Sequence, residues 1–435
     1  MDKSRPIQNG PIARPEERGR QERTLVRDLA RTTRTPLEDI LDRSIQELTI
    51  DTLTNLGLGL GRVEGLVVMV PFCLPGERVR AKIYREHKNY SEGDLEEVLE
   101  GSPERVEPRC PLFGACGGCQ YQHLAYEGQL VWKRQQIKEL FERIGKVANA
   151  DVQPVWPSPM QYGYRSKLTP HFQKPKSEAP VIGFLAYGRR SRLVDVERCP
   201  IALDGINEAL PGLRQSVFDS VGRYKRGATL LLRASESGVT TDPKAACTQS
   251  IGKWRFQFTA GEFFQNNPYI LPEMVDFVLS EAHGNDTRYL VDTYCGVGVF
   301  GLCGSERFEA AVCIEVNPDA IEWAKVNAAD NGIGNVTFVT GSAEHIFENI
   351  RFPSNETAVI LDPPRKGCDA AFLDQLLHFA PQRIVYVSCA PDTQARDLQT
   401  LLTAYTLVKI QPFDLFPQTR HIENVITLVR RMDWE

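Results

Sequence analysis

The 435-residue chain has no surplus of positive charge: 51 Lys and Arg stand against 56 Asp and Glu, a formal net charge of −5. A wholly basic nucleic-acid binder is thereby excluded, and any such footprint must be local. No apolar run approaches the ~20 residues that cross a bilayer, so no membrane partner is expected. The opening stretch, MDKSRPIQNGPIARPEERGRQER, has no hydrophobic segment, which argues against a secretory signal. Its Asp2, Glu16, Glu17 and Glu22 suit a transit peptide poorly, so a polar disordered arm on a cytoplasmic, monomeric protein is the expectation. Internal repeats and low-complexity tracts are missing too. Cysteine is not scarce. Eleven cysteines without an export signal read as metal ligands, catalytic groups or core filler, not as a disulfide framework.

The patterning changes along the chain. Residues 1–45 form the arm, with a short helix expected over TPLEDILDRSIQEL. From residue 46 to 105, short alternating runs separated by turns at Gly57–Gly61, Glu64-Gly65 and Pro75-Gly76 predict a small antiparallel barrel. Arg78, Arg80, Lys82, Arg85, His87 and Lys88 cluster there, either as an RNA grip or as a solvated charged hairpin. Residues 106–266 read as a mixed α+β region containing a cysteine cluster and the helical stretch EGQLVWKRQQIKELFERIGKV. Within it Tyr162, Tyr164, Phe172, Phe184 and Tyr187 alternate with Arg165, Lys167, Lys174, Lys176, Arg189, Arg190 and Arg192. Aromatics between cations suit base stacking with phosphate neutralisation, and equally an ordinary charged hairpin. From 267 to 435 strands alternate with helices, the signature of a doubly wound, mostly parallel α/β sheet.

In this last region the strand RYLVD runs into TYCGVGVFG, a G-x-G-x-x-G at Gly296, Gly298 and Gly301, and Glu315 ends the next strand. Glycines let the backbone approach a ligand closely and the carboxylate takes ribose hydroxyls, needs shared by NAD and S-adenosylmethionine (SAM). Asp292, just before the loop, suits a carboxylate facing the cationic methionine moiety of SAM. The fourth strand ends in LDPPR, with Asp362 expected beside the transferring methyl and Arg365 where amino-nitrogen methylases carry an aromatic. A carbon acceptor is favoured. Uracil C5 is too weakly nucleophilic to take a methyl unaided; a thiolate adding at C6 activates it, and a base must then remove the C5 proton. Cys389 ends the strand RIVYVSC, and His421 and Glu423 precede the last strand as candidate bases.

Cys110, Cys116 and Cys119, spaced C-x5-C-x2-C, with Cys199 further on, suit a structural zinc or an iron–sulfur cluster. Cys73, Cys247, Cys303, Cys313 and Cys368 read as core thiols.

FFQNN, DTYCGVGVFG, LDPPRKG, SCAPDTQARDL and DLFPQTRHIENV occur in the order seen in RNA 5-methyluridine (uracil-C5) methyltransferases, and the chain resembles that family over residues 49–435. The resemblance implies a Rossmann-like SAM-dependent methyltransferase domain, an N-terminal OB-type TRAM barrel and a [4Fe–4S] cluster on Cys110, Cys116, Cys119 and Cys199. It implies Cys389 as nucleophile, Glu423 as general base, and Gln265, Tyr294, Gly296, Gly298, Glu315 and Asp362 around SAM. Ala390 stands where the family often has Asn or Asp. The expected substrate is a uridine in structured RNA, with 23S rRNA placed first and tRNA second. A non-catalytic RNA-binding iron–sulfur protein and a dehydrogenase are the alternatives from other classes.

Overall fold

The computed structural model describes residues 45–173, 180–284, 286–341, 347 and 350–432. The expected arm, up to residue 44, lies outside them. Ile45–Leu48, expected as a helix end, instead open the first strand.

Five strands close a barrel: β1 (Ile45–Leu53), β2 (Leu58–Val63), β3 (Leu66–Pro71), β4 (Arg78–Glu86) and β5 (Tyr90–Glu100), in the order β1-β2-β3-β5-β4. Inward positions Leu48, Ile50, Val68, Val70, Val79, Ala81 and Ile83 form its core, as period-two alternation requires. At Gly61 a Cβ would stand 2.2 Å from the Thr49 carbonyl oxygen, so only glycine lets β1 and β2 meet there.

Helix α1 (Tyr126–Arg143) follows, and then short antiparallel pieces: β6 (Lys167–Leu168), β7 (His171–Phe172), β8 (Ile182–Ala186) and β9 (Arg189–Asp195). Helix α2 (Asp204–Ser220), β10 (Ala228–Thr229), β11 (Leu232–Ser235) and β12 (Gly238–Thr240) complete two small sheets, and β13 (Ala246–Ile251) with β14 (Trp254–Thr259) forms a hairpin.

The C-terminal sheet has seven strands: β15 (Tyr289–Thr293), β16 (Ala310–Glu315), β17 (Val336–Thr340), β18 (Thr357–Leu361), β19 (Arg383–Ser388), β20 (Tyr405–Phe413) and β21 (Glu423–Arg430). Their order is β17-β16-β15-β18-β19-β21-β20, the first five parallel and β21 antiparallel to both β19 and β20. Every residue of TAVIL in β18 is buried, as in a strand covered on both faces. Helices α3 (Leu271–Ala282), α4 (Val299–Cys303) and α5 (Pro318–Asp330) pack into one core. Helices α6 (Ala370–Phe379) and α7 (Pro391–Leu401) pack into the other, together with Ile137 and Phe141 of α1. The chain moves from β15 outward through β16, then returns to β18 on the other side. That switch point is where open α/β sheets hold ligands. Among the described residues no helix is long and apolar enough to cross a membrane.

Candidate active site

The carboxyl ends of β15, β16, β18 and β19 open into one cavity of about 1720 Å³. Such a volume exceeds the ~300–1,000 Å³ of an ordinary small-molecule pocket. It continues past the cysteine loop to the barrel face at Leu58, Met69 and Tyr84.

Gln265, Tyr294, Gly296, Glu315 and Asp362 all line it. Tyr294 at φ +61° and Gly296 at φ +55° turn the loop sharply away from β15. A non-glycine residue in the left-handed region is a strained feature that clusters at functional sites. The Gly296 and Asn317 amides donate to the two Glu315 carboxylate oxygens at 3.1 and 2.9 Å, fixing that group at the cavity wall. Asn317 also caps α5 through its side chain, and Pro318 starts the helix with its φ already set.

Two expected contacts are corrected. Gly298, at φ +90°, is buried before α4, and a Cβ there would press on Leu302 and Ala324 at 3.1 and 3.3 Å; it serves helix packing and is not part of the cavity wall. Asp292 does not line the cavity either. It is fully buried beneath the loop, its Oδ2 accepting from the Gly301 amide at 2.8 Å, and burial pushes its carboxyl up to about 8.

Cys389 sits half-buried on the cavity wall at the tip of β19. Pro391 opens α7 and holds Ala390 out of the helical region, so the strand ends at the thiol. Antiparallel pairing of Ser388 with Asn424 brings Glu423, the first residue of β21, to the same place. Burial, then the Glu423 and Asp362 charges, push the Cys389 thiol up to about 11, while Arg365 beside it pulls the other way. Glu423 is 2% exposed, and burial next to Asp362 raises its carboxyl far above the usual range. Burial raises Asp362 to about 7. His421 lines the same cavity, but burial among Arg420, Arg365 and other cations lowers it to about 3. An imidazole that weakly basic is a poor proton acceptor; of the two candidates Glu423 has the environment of a base.

The Cys110, Cys116, Cys119 and Cys199 thiols line the cavity between active site and barrel, and none is in a disulfide. Burial pushes Cys119 up to about 12 and Cys199 to about 11, with neighbouring thiols of the set adding to both. Among the described residues, however, no group of three or more His, Cys, Asp or Glu side chains is arranged to hold a metal ion.

The structure also sorts the residues expected to face RNA. Tyr164 and Phe172 are buried in the core, unable to stack on a base. Phe184, Tyr187 and Arg165 line the cavity, and Tyr162 lies under the Arg109 guanidinium at 4.4 Å. Lys174 and Lys176, with the side chains of Arg189 and Arg190, lie outside the described residues. On the barrel, Arg78 pairs with Glu47 and Glu100, Arg80 with Glu47 and Glu97, and His87 with Glu92. Much of that apparent basic cluster is offset by its own acids. Sequence reasoning quoted Phe263 in FFQNN without giving it a role; it is 72% exposed on the cavity wall two residues before Gln265. A doubled aromatic in a Gly-flanked loop was the available signal.

Residues 249–431 match the family described as tRNA (Uracil-5-)-methyltransferase, and residues 41–95 match the TRAM domain. A tRNA (uracil(54)-C(5))-methyltransferase from Schizosaccharomyces pombe is 41% identical, over 88% of this chain and 78% of that protein. The protein of the same name from Saccharomyces cerevisiae is 34% identical, over 89% and 74%. An uncharacterized RNA methyltransferase from Halalkalibacterium halodurans is 32% identical, over 88% and 96%. The crystal structure of Pyrococcus abyssi tRNA (uracil-54, C5)-methyltransferase in complex with S-adenosyl-L-homocysteine superposes with a TM-score of 0.69 and 25% identity, over 88% of this chain and all of that one. Fold, site and relatives converge, and they displace the dehydrogenase alternative: the chain belongs to the tRNA (uracil-5-)-methyltransferase family and is a SAM-dependent enzyme that methylates uracil C5 in RNA.

Proposed function

We propose that the substrate is tRNA, at the uridine that the relatives' names number 54, and that the reaction passes through a covalent bond between Cys389 and uracil C6. Similarity to two tRNA-acting relatives supports tRNA over the ribosomal RNA that the sequence reading placed first. One observation carries the mechanism: Cys389, Glu423 and Asp362 share one cavity wall with the glycine loop.

The uridine must leave its stack to reach this depth. Phe263 offers an exposed ring to receive it. The Cys389 thiolate, its charge favoured by Arg365, bonds to C6 and shifts the C5–C6 electrons onto the carbonyl oxygen at C4. C5 then takes the methyl from SAM, leaving S-adenosylhomocysteine. Glu423, poised by burial as a strong base for a carboxylate, removes the C5 proton. The double bond re-forms and Cys389 leaves as thiolate. Gln265, Tyr294, Gly296 and Glu315, which line the cavity, would hold the cofactor, and Asp362, on the same wall, would stand beside its methyl.

Cys110, Cys116, Cys119 and Cys199 would hold a [4Fe–4S] cluster, for which an all-thiolate set is the usual donor. It would order the region between barrel and active site.

Mapping 5-methyluridine by mass in tRNA and rRNA from cells lacking this protein tests the substrate. Loss from tRNA is expected; loss from rRNA with tRNA intact overturns that choice. Cys389→Ala should abolish methyl transfer with SAM binding retained, and Glu423→Gln should trap an SDS-stable protein–RNA adduct. Iron and acid-labile sulfide in anaerobically purified protein, lost in Cys119→Ser, are expected for the cluster; zinc without sulfide rejects it.

A further inference from the structure

Between β20 and β21 the chain crosses residues 414–422 and delivers Glu423. This connection supplies Phe416, Thr419, Arg420 and His421 to the cavity. It forms no helix or strand, and its Gln418 is held at φ +69°, a conformation a non-glycine side chain keeps only when its surroundings over-determine it.

They do so from far away in sequence. Gln129 of α1 makes a reciprocal amide pair with Gln418: its Nε2 donates to the Gln418 side-chain oxygen and its Oε1 accepts from the Gln418 amide, both at 3.0 Å. The Gln120 and Tyr121 amides donate to the Gln418 carbonyl at 3.1 and 3.0 Å. Gln120 Oε1 accepts from the Arg420 amide at 3.2 Å. At the entrance of the connection, Lys133 of α1 donates to Asp414 at 2.6 Å and to the Phe416 carbonyl at 3.3 Å, and both charged side chains are fully buried. Gln129 is 1% exposed, and neither it nor Lys133 lines the cavity, whereas Gln120 does.

We propose that Gln129, Gln120 and Lys133 are positioning residues for the base: they hold residues 414–422 on the one backbone path that aims Glu423 at the C5 proton. Gln120 and Tyr121 directly follow Cys119, so the placement of the cysteine loop is relayed to Glu423 through Gln418. The inference rests on Glu423 being the base. Its distinctive consequence is kinetic. Proton removal comes after methyl transfer, so a misaimed base stalls the enzyme with RNA still attached to Cys389.

The test uses full-length protein, a tRNA transcript and SAM. Gln129→Ala should lower kcat about ten- to a hundredfold, the scale of a misplaced catalytic group, leave SAM binding unchanged, and accumulate an SDS-stable adduct. Gln120→Ala, in a less buried position, should do the same more weakly and serves if Gln129→Ala does not fold, as judged by thermal melting. A lowered kcat without adduct, or a wild-type kcat, overturns the proposal. Glu423→Gln is run in parallel. If it traps adduct while the glutamine variants do not, the positioning role falls and the base assignment stands; if it traps none, the base assignment itself falls and takes the inference with it.

Discussion

Gln394 and Asn424 tie the helix that follows Cys389 to the strand that Glu423 opens. Gln394, on α7 just after Cys389, donates to the Asn424 carbonyl at 3.1 Å and to the Tyr386 carbonyl at 2.7 Å, and accepts from the Asn424 amide group at 2.7 Å. Both residues are fully buried. Gln394→Ala strands those groups away from water, at ~1–3 kcal/mol for each left without a partner. The melting temperature and kcat should fall together. A variant that melts like wild type would show that the pair contributes nothing.

The Cys389 thiol, raised to about 11, is mostly protonated at neutral pH. The thiolate is the nucleophile, so kcat/KM should climb as pH rises from 7 towards 9. Arg365 is the cation that opposes the rise. Arg365→Leu should therefore cost about tenfold at pH 7 and at pH 9 alike, since both lie below the thiol's value. A wild-type kcat/KM at both values would remove Arg365 from thiol activation.

Asp292 gives a stability signature. Its folded-state carboxyl, raised to about 8, binds a proton that the unfolded chain releases near pH ~4. The stabilisation is complete below the unfolded value and is lost as pH rises through the folded one. SAM-free wild type should lose up to about 1.4 kcal/mol per pH unit between those limits relative to Asp292→Asn. Denaturant unfolding at pH 5 and pH 8 measures it; parallel curves would mean that Asp292 is ionised in the fold.

Gly301 has no room for a methyl group. A Cβ there would stand 2.1 Å from Cys313 Sγ, between α4 and β16. Gly301→Ala should destabilise by ~1–3 kcal/mol as an overpacked core. Cys313→Ala in the same chain should recover most of it. Additive losses in the double variant would place the strain elsewhere.

Much of this enzyme is legible locally. The strands at Tyr289–Thr293, Ala310–Glu315, Val336–Thr340, Thr357–Leu361 and Arg383–Ser388 are short apolar runs with turns at their ends, and the sheet follows from their alternation with helices. The glycine loop, Cys389 and Glu423 stand in contiguous motifs whose chemistry names its own requirements. The barrel is readable for the same reason, since a period of two declares its inner face.

The linear chain carries the element order, the reaction class and the residue types it needs. The tertiary structure alone decided which of those residues meet the cavity. It hid Asp292, Gly298, Tyr164 and Phe172, paired the barrel arginines with acids, laid α1 on the C-terminal sheet, and surrounded His421 with cations. It also joined Gln129 to Gln418 across 289 positions. The physical reason is range: periodicity reports the face a residue turns inward, whereas burial, pairing and basicity depend on what distant segments bring alongside it.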